Sequence, residues 1–131
     1  MTPFFNVEGI YTPVVTPMTA DHAVNWDALA KIVENLIDKG VHGVISGGST
    51  GENYAQTVEE RITAALFTKD VVKGRVPLVV GTGAMMTPDS IALATAAREM
   101  GADAILLATP PYSVPTEREN ALNALAFDKA A

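Results

Sequence analysis

KGVHGVISGGSTGENYAQTVEER (residues 39–61) passes without interruption through a helix stop, an apolar strand, a run of small polar residues and a new helix start. Gly40 stands where a left-handed residue most easily closes a helix. The apolar stretch 43–45 is short and continuous, as in strands buried on both faces of a parallel sheet. Thr57 and Glu60 have the spacing of a capping box, in which a hydroxyl and a carboxylate each satisfy an orphan amide. The unit is strand, loop, helix, and what it builds depends on whether it recurs.

Outward from this stretch the same phrase returns. MGADAIL (100–106) repeats the helix-stop, strand-start pattern of KGVHGVI (39–45), two units further on. Apolar, β-branched runs predict strands at residues 9–15, 43–45, 76–80 and 104–107. Between them helical periodicity places Trp26, Leu29, Ile32, Val33, Leu36 and Ile37 on one face, then Val58, Ile62, Ala65, Leu66 and Val72, then Ile91, Ala94, Ala97 and Met100. Gly40, Gly74 and Gly101 stop the first three helices, and Thr116 with Glu119 opens a last one at about 117–129. Thr87 is expected to cap the third helix, with Pro88 at its first position. The reading is four βα units over residues 1–131 with no internal boundary. Right-handed crossovers then require a parallel sheet. Two architectures fit: a doubly wound open sheet, or a section of a (β/α)8 barrel, which takes ~250 residues in full.

Composition narrows the function. Of 131 residues 48% are hydrophobic, enough for a core, and none is cysteine, which removes disulfides, thiolate chemistry and cysteine-based zinc sites. The net charge of −6 has the wrong sign for nucleic acid or an anionic membrane. No basic start with an apolar h-region is present, and no apolar run approaches the ~18 residues of a membrane span. A soluble cytoplasmic protein is expected, with no cofactor and no metal, since no convincing metal-ligand spacing occurs.

In both architectures ligands bind beyond the carboxyl ends of the strands. The residues there are Thr16-Pro17, Gly47 to Glu52, Gly81-Thr82-Gly83 and Thr109 to Tyr112: hydroxyls, glycine and proline, without lysine or histidine. Gly47 to Gly51 can cradle a small anion through converging amides and the hydroxyls of Ser49 and Thr50. A plain turn needing glycine explains the loop equally well. Neither the phosphate-loop nor the dinucleotide pattern is matched. Tyr112, stiffened by two prolines, is either a pocket phenol or an aromatic on the rim. Glu52 reads as a loop anchor rather than a base, and His22 and His42 as structural.

With GVISGGSTGE, GTGA and ATPPYS in this order, the chain resembles the dihydrodipicolinate synthase / N-acetylneuraminate lyase family of pyruvate-dependent class I aldolases. The similarity runs over essentially the whole chain. It implies a TIM (β/α)8 barrel, of which this chain holds the first four units, a half barrel. It implies that Thr50, with Gly48, Gly51 and the loop backbone, binds the carboxylate of pyruvate or another 2-keto acid. Ser49 and Tyr112 would relay protons, Tyr112 across a subunit interface in a homotetramer. The Schiff-base lysine and the catalytic tyrosine belong to strands six and five, beyond Ala131, so the chain alone is expected to be inactive. Pro111 departs from the T-P-Y-Y form common in the synthases, and Ser49 matches the lyases. This leaves synthase, lyase and dehydratase open. Val58, Arg61, Met85 and Pro111 replace the residues that regulated members use for lysine, so no lysine inhibition is expected. The competing reading is a non-catalytic half barrel that binds a small carboxylate or assembles with a second half.

Overall fold

A computed structural model describes residues 7–110 and 114–129. Strands β1 (Tyr11–Pro13), β2 (Gly43–Ser46), β3 (Leu78–Gly81) and β4 (Ala104–Leu106) alternate with helices α1 (Trp26–Asp38), α2 (Val58–Val72), α3 (Thr87–Glu99) and α4 (Glu117–Asp128). The strands form a 4-stranded sheet in the order β1-β2-β3-β4, every pair parallel. Each helix packs on the next, α1 on α2, α2 on α3 and α3 on α4.

Consecutive neighbours joined by right-handed crossovers place all the helices on one side of the sheet. The core bears this out. Val14, Val44, Leu78 and Val80 at the strands meet Leu29 and Val33 of α1, Ala65 and Val72 of α2 and Ala97 of α3 in a single buried cluster. Burying a side chain of this size stabilises by roughly 1.5–3 kcal/mol. Alternation sends Pro13, Ile45 and Val79, which share a register row, to the opposite face. No helix covers that face among the described residues, and Leu106 there is 45% exposed. A doubly wound sheet would have helices on both faces, so the barrel section is the architecture.

Helix starts follow the sequence closely. The capping boxes form at Thr57/Glu60 and Thr116/Glu119, with Thr57 N–H donating to Glu60 Oε2 at 2.8 Å and Thr116 N–H to Glu119 Oε2 at 2.8 Å. Gly40, Gly74 and Gly101 all take positive φ after α1, α2 and α3. The start of α3 differs by one residue. Met86 is the N-cap, Thr87 is already helical, and the Thr87 hydroxyl donates towards Asn123 of α4 at 3.4 Å instead of capping. Pro88 is tolerated there because first-turn amides lack helical partners in any case. β1 is shorter than expected, and the missing N–H of Pro13 faces the open edge of the sheet, where proline is tolerated. One further bond, Val14 N–H to Ile45 O at 2.9 Å, closes it.

Candidate functional site

After β2 the chain turns at Gly47 (φ 74) and runs extended through Gly48. It then makes a tight 3-10 turn at Ser49–Gly51. Gly51 N–H donates to Gly48 O and Glu52 N–H to Ser49 O, both at 3.0 Å. Glu52 is left-handed (φ 55, ψ 41) and reverses the chain into a second turn, Asn53–Ala55, before Thr57 caps α2. This is the polar run between strand and helix: two short turns hinged on one strained residue.

The glycines are there for different reasons. A Cβ on Gly81 of β3 would lie 2.4 Å from Gly47 O, so strand and loop touch backbone to backbone. A Cβ on Gly51 would lie 2.9 Å from Val14 O and 3.2 Å from Thr16 Oγ1, which presses the turn against the end of β1. Gly48 differs, because a Cβ there would meet nothing within 4 Å. Gly51 is thus small for the sake of packing, whereas Gly48 borders open space.

That space belongs to a cavity of about 450 Å³ at the strand ends, with Gly48, Ser49, Gly81, Arg61, Asp89 and Leu106 in its wall. Thr50 and Gly51 are not in its wall. Ser49 and Thr50 are both exposed, and among the described residues neither hydroxyl has a hydrogen-bond partner. Arg61 reaches from α2 beneath the loop, is 5% exposed, and donates from Nη2 to Gly81 O at 3.0 Å. Its Nε is buried without a partner. Burial lowers the Arg61 pKa, and the nearby charge of Asp89 partly offsets this. Side chains hold the loop: Thr16 Oγ1 donates to Gly51 O (2.8 Å), Gln56 Nε2 to Gly51 O (2.6 Å) and Asn53 Nδ2 to Gly47 O (3.1 Å), the last two from residues that also line the cavity.

Unpaired hydroxyls above a glycine that borders open space can grip an anion. Among the described residues no lysine lies beside them. Lys31 and Lys69 lie within helices, and Lys39, Lys73 and Lys129 follow helix C-termini, on the face of the barrel away from the loop. Among the described residues no three His, Asp or Glu side chains converge as metal ligands.

Of the residues singled out in the sequence, Gly48, Ser49, Thr50 and Gly51 fall on one turn, while Tyr112 and Pro111 lie outside the described residues. Val58, Arg61 and Met85, read as the departures from a lysine-effector site, all line the cavity. Glu52 anchors the loop by its backbone, not its carboxylate: its carbonyl accepts from Ala55 N–H at 2.9 Å, and its exposed side chain has no partner among the described residues. His42 is structural, accepting Ile10 N–H at Nδ1 (3.0 Å). His22 sits in an exposed turn with φ 67. Sequence reasoning did not assign Thr16, Asn53 and Gln56 as loop supports, or Arg61 as a strut. Their only signal was polar residues flanking a glycine loop.

A parallel sheet in strict sequential order, helices on one side and a hydroxyl-bearing turn at the strand ends define a section of a TIM barrel enzyme fold. Residues 6–123 match the dihydrodipicolinate synthetase family model, and the chain belongs to that family. It is 40% identical over 111 residues to the 4-hydroxy-tetrahydrodipicolinate synthase of Cellvibrio japonicus (strain Ueda107), covering 85% of this chain and 38% of that enzyme. Among solved structures it resembles the chloride-inhibited dihydrodipicolinate synthase from Acinetobacter baumannii complexed with pyruvate (TM-score 0.91, 36% identity, 96% of this chain and 43% of that one). CdNal from Clostridium difficile in complex with mannosamine superposes with a TM-score of 0.93 at 26% identity, over 97% of this chain and 44% of that one. The chain therefore spans about two fifths of the length of such relatives. No helix among the described residues is long and apolar enough to cross a membrane.

Proposed function

We propose that this chain supplies the carboxylate-binding part of a lyase or synthase that handles pyruvate, or a related 2-keto acid, as an imine. The observation that carries the reading is the Ser49–Gly51 turn. It places two unpartnered hydroxyls at the strand ends beside a glycine facing open space, in a family with a member solved with pyruvate. Thr50, with the Ser49 and Thr50 amides beside Gly48, holds the carboxylate, and Gly51 closes the turn. Ser49 passes a proton, with Tyr112 as its partner in the relay.

The covalent step needs a desolvated lysine amine, neutral at working pH, to attack the ketone. A solvated lysine has a pKa of ~10.4 and is almost wholly protonated at neutral pH. The helical lysines of this chain are in no position for that attack, so bond-making falls to strands five and six of a complete barrel. Residues 1–131 form one continuous portion of that barrel, working in the cytoplasm as part of a homo-oligomer.

The test is a pyruvate titration of the ¹⁵N-labelled chain. Saturable shifts at the Ser49 and Thr50 amides are expected, weakened about 10- to 150-fold in Thr50→Val, because a hydrogen bond to a charged group contributes ~1.5–3 kcal/mol. Borohydride added with pyruvate should leave the lysines unlabelled. Stoichiometric labelling at any of them, or shifts that avoid the turn, would overturn the assignment.

A further inference from the structure

The supports of the turn carry one more step, which rests on the carboxylate reading above. The Gly51 carbonyl receives two side-chain donors from separate parts of the chain. Thr16 Oγ1 comes from beyond β1 at 2.8 Å, and Gln56 Nε2 comes from the residue before the α2 cap at 2.6 Å. Gln56 Nε2 also lies 3.5 Å from Glu52 O. At the other end of the turn Asn53 holds Gly47 O at 3.1 Å. The carbonyls on both sides of Ser49 and Thr50 are therefore already occupied by donors, those of Gly47 and Gly51 by side chains and that of Gly48 by the Gly51 N–H. A bare carbonyl beside a carboxylate site repels the ligand electrostatically, and one free to swing carries the next amide with it. Glu52, the next residue, sits in the left-handed region, which a non-glycine residue holds only when its surroundings impose it.

We propose that Thr16 and Gln56 are positioning residues for the substrate carboxylate: by jointly clamping the Gly51 carbonyl they hold the Ser49–Gly51 turn in its binding geometry. Thr16 lies outside the cavity wall and Gln56 within it, and both act on the carboxylate through the Gly51 carbonyl. Because both donors act on one oxygen, removing one leaves the other in place, and removing both releases the turn.

The experiment uses the whole chain as Thr16→Val, Thr16→Ser, Gln56→Met and the Thr16→Val/Gln56→Met double variant. Two readouts are followed by NMR: hydrogen exchange of the Gly51 and Glu52 amides without ligand, and the Kd for pyruvate. Strand amides of β2 and β3 serve as the folding control. Each single removal should speed exchange at Glu52 and raise the pyruvate Kd about five-fold, the usual net effect of one hydrogen bond. The double variant should exceed the product of the singles, since contacts sharing an acceptor are coupled. Thr16→Ser, which keeps the hydroxyl, should behave as the parent chain.

A turn that loosens while the pyruvate Kd stays put would overturn the positioning role. So would a double variant that is merely multiplicative, or Thr16→Ser failing like Thr16→Val. Unchanged exchange at Glu52 in the double variant would remove the clamp itself. If pyruvate leaves the Ser49 and Thr50 amides of the parent chain unmoved, the carboxylate reading fails and the positioning role falls with it, whatever the exchange data show.

Discussion

Two alanine substitutions at glycines of the same site should have opposite effects. In Gly81→Ala the new methyl would lie 2.4 Å from Gly47 O and 2.7 Å from Gly47 C, both backbone atoms that cannot swing aside. The strand end must separate from the loop, and overpacking of this kind costs about 1–3 kcal/mol. For a chain of this length that lowers Tm by roughly 3–12 °C. Gly48 has φ −78 and ψ −177, a conformation any residue adopts, with open space where the methyl would sit. Gly48→Ala should therefore hold or raise stability, by up to about 1 kcal/mol through the unfolded chain. The same methyl occupies the space assigned to the ligand, so pyruvate binding should weaken about 5- to 150-fold, by the overpacking penalty applied to the complex. Thermal unfolding and a pyruvate titration on the two variants read both quantities. A Gly48→Ala chain that binds pyruvate like its parent would show that no ligand approaches that backbone. A Gly81→Ala chain with unchanged Tm would refute the packing argument.

Arg61→Met removes the donor to Gly81 O, and Tm should fall by an amount equivalent to about 1 kcal/mol; a rise would mean that relief of the buried, unpartnered Nε outweighs that bond. Titration with free lysine should leave the amides around Arg61 and Asp89 unshifted, because Val58 and Met85 offer the cavity apolar side chains; saturable shifts there would reverse that reading. Thr116 bonds hold the Glu119 carboxyl below its ordinary value of 4.5, as the Arg75 guanidinium does for Glu34. A depressed folded pKa stabilises fully above the unfolded value and loses that contribution as pH falls through the folded one. Tm should accordingly drop below about pH 4.5, and Glu119→Gln should flatten the slope; a profile unaffected by Glu119→Gln would exclude it as a contributor.

The sequence made the fold legible because each βα unit carries its own punctuation. Capping boxes at Thr57 and Thr116 and glycine stops at 40, 74 and 101 are local chemistry, and the structure realises them locally. The first turn of α3 was misread by one residue because the Thr87 hydroxyl turns to Asn123, 36 positions away, which no local pattern encodes. The loop was legible as small and hydroxyl-rich, but the separate causes of its glycines were not. Gly51 is set by the carbonyl of Val14, just past β1, and Gly81 by the carbonyl of Gly47, just past β2, so each constraint lies in another βα unit. The supports escaped for the same reason, since the bond from Thr16 to Gly51 joins residues 35 apart.

The order β1-β2-β3-β4 also governs how the chain assembles. Every strand of the sheet from β2 on pairs with the one made just before it, so the loops to be closed among these four strands stay short. Assembly can then proceed unit by unit from the amino end during synthesis. Each finished strand is the template for the next, and the most recently added one is always the most open. Among the described residues β4 pairs with β3 alone, so its other edge presents a row of backbone N–H and C=O groups that can template a further strand.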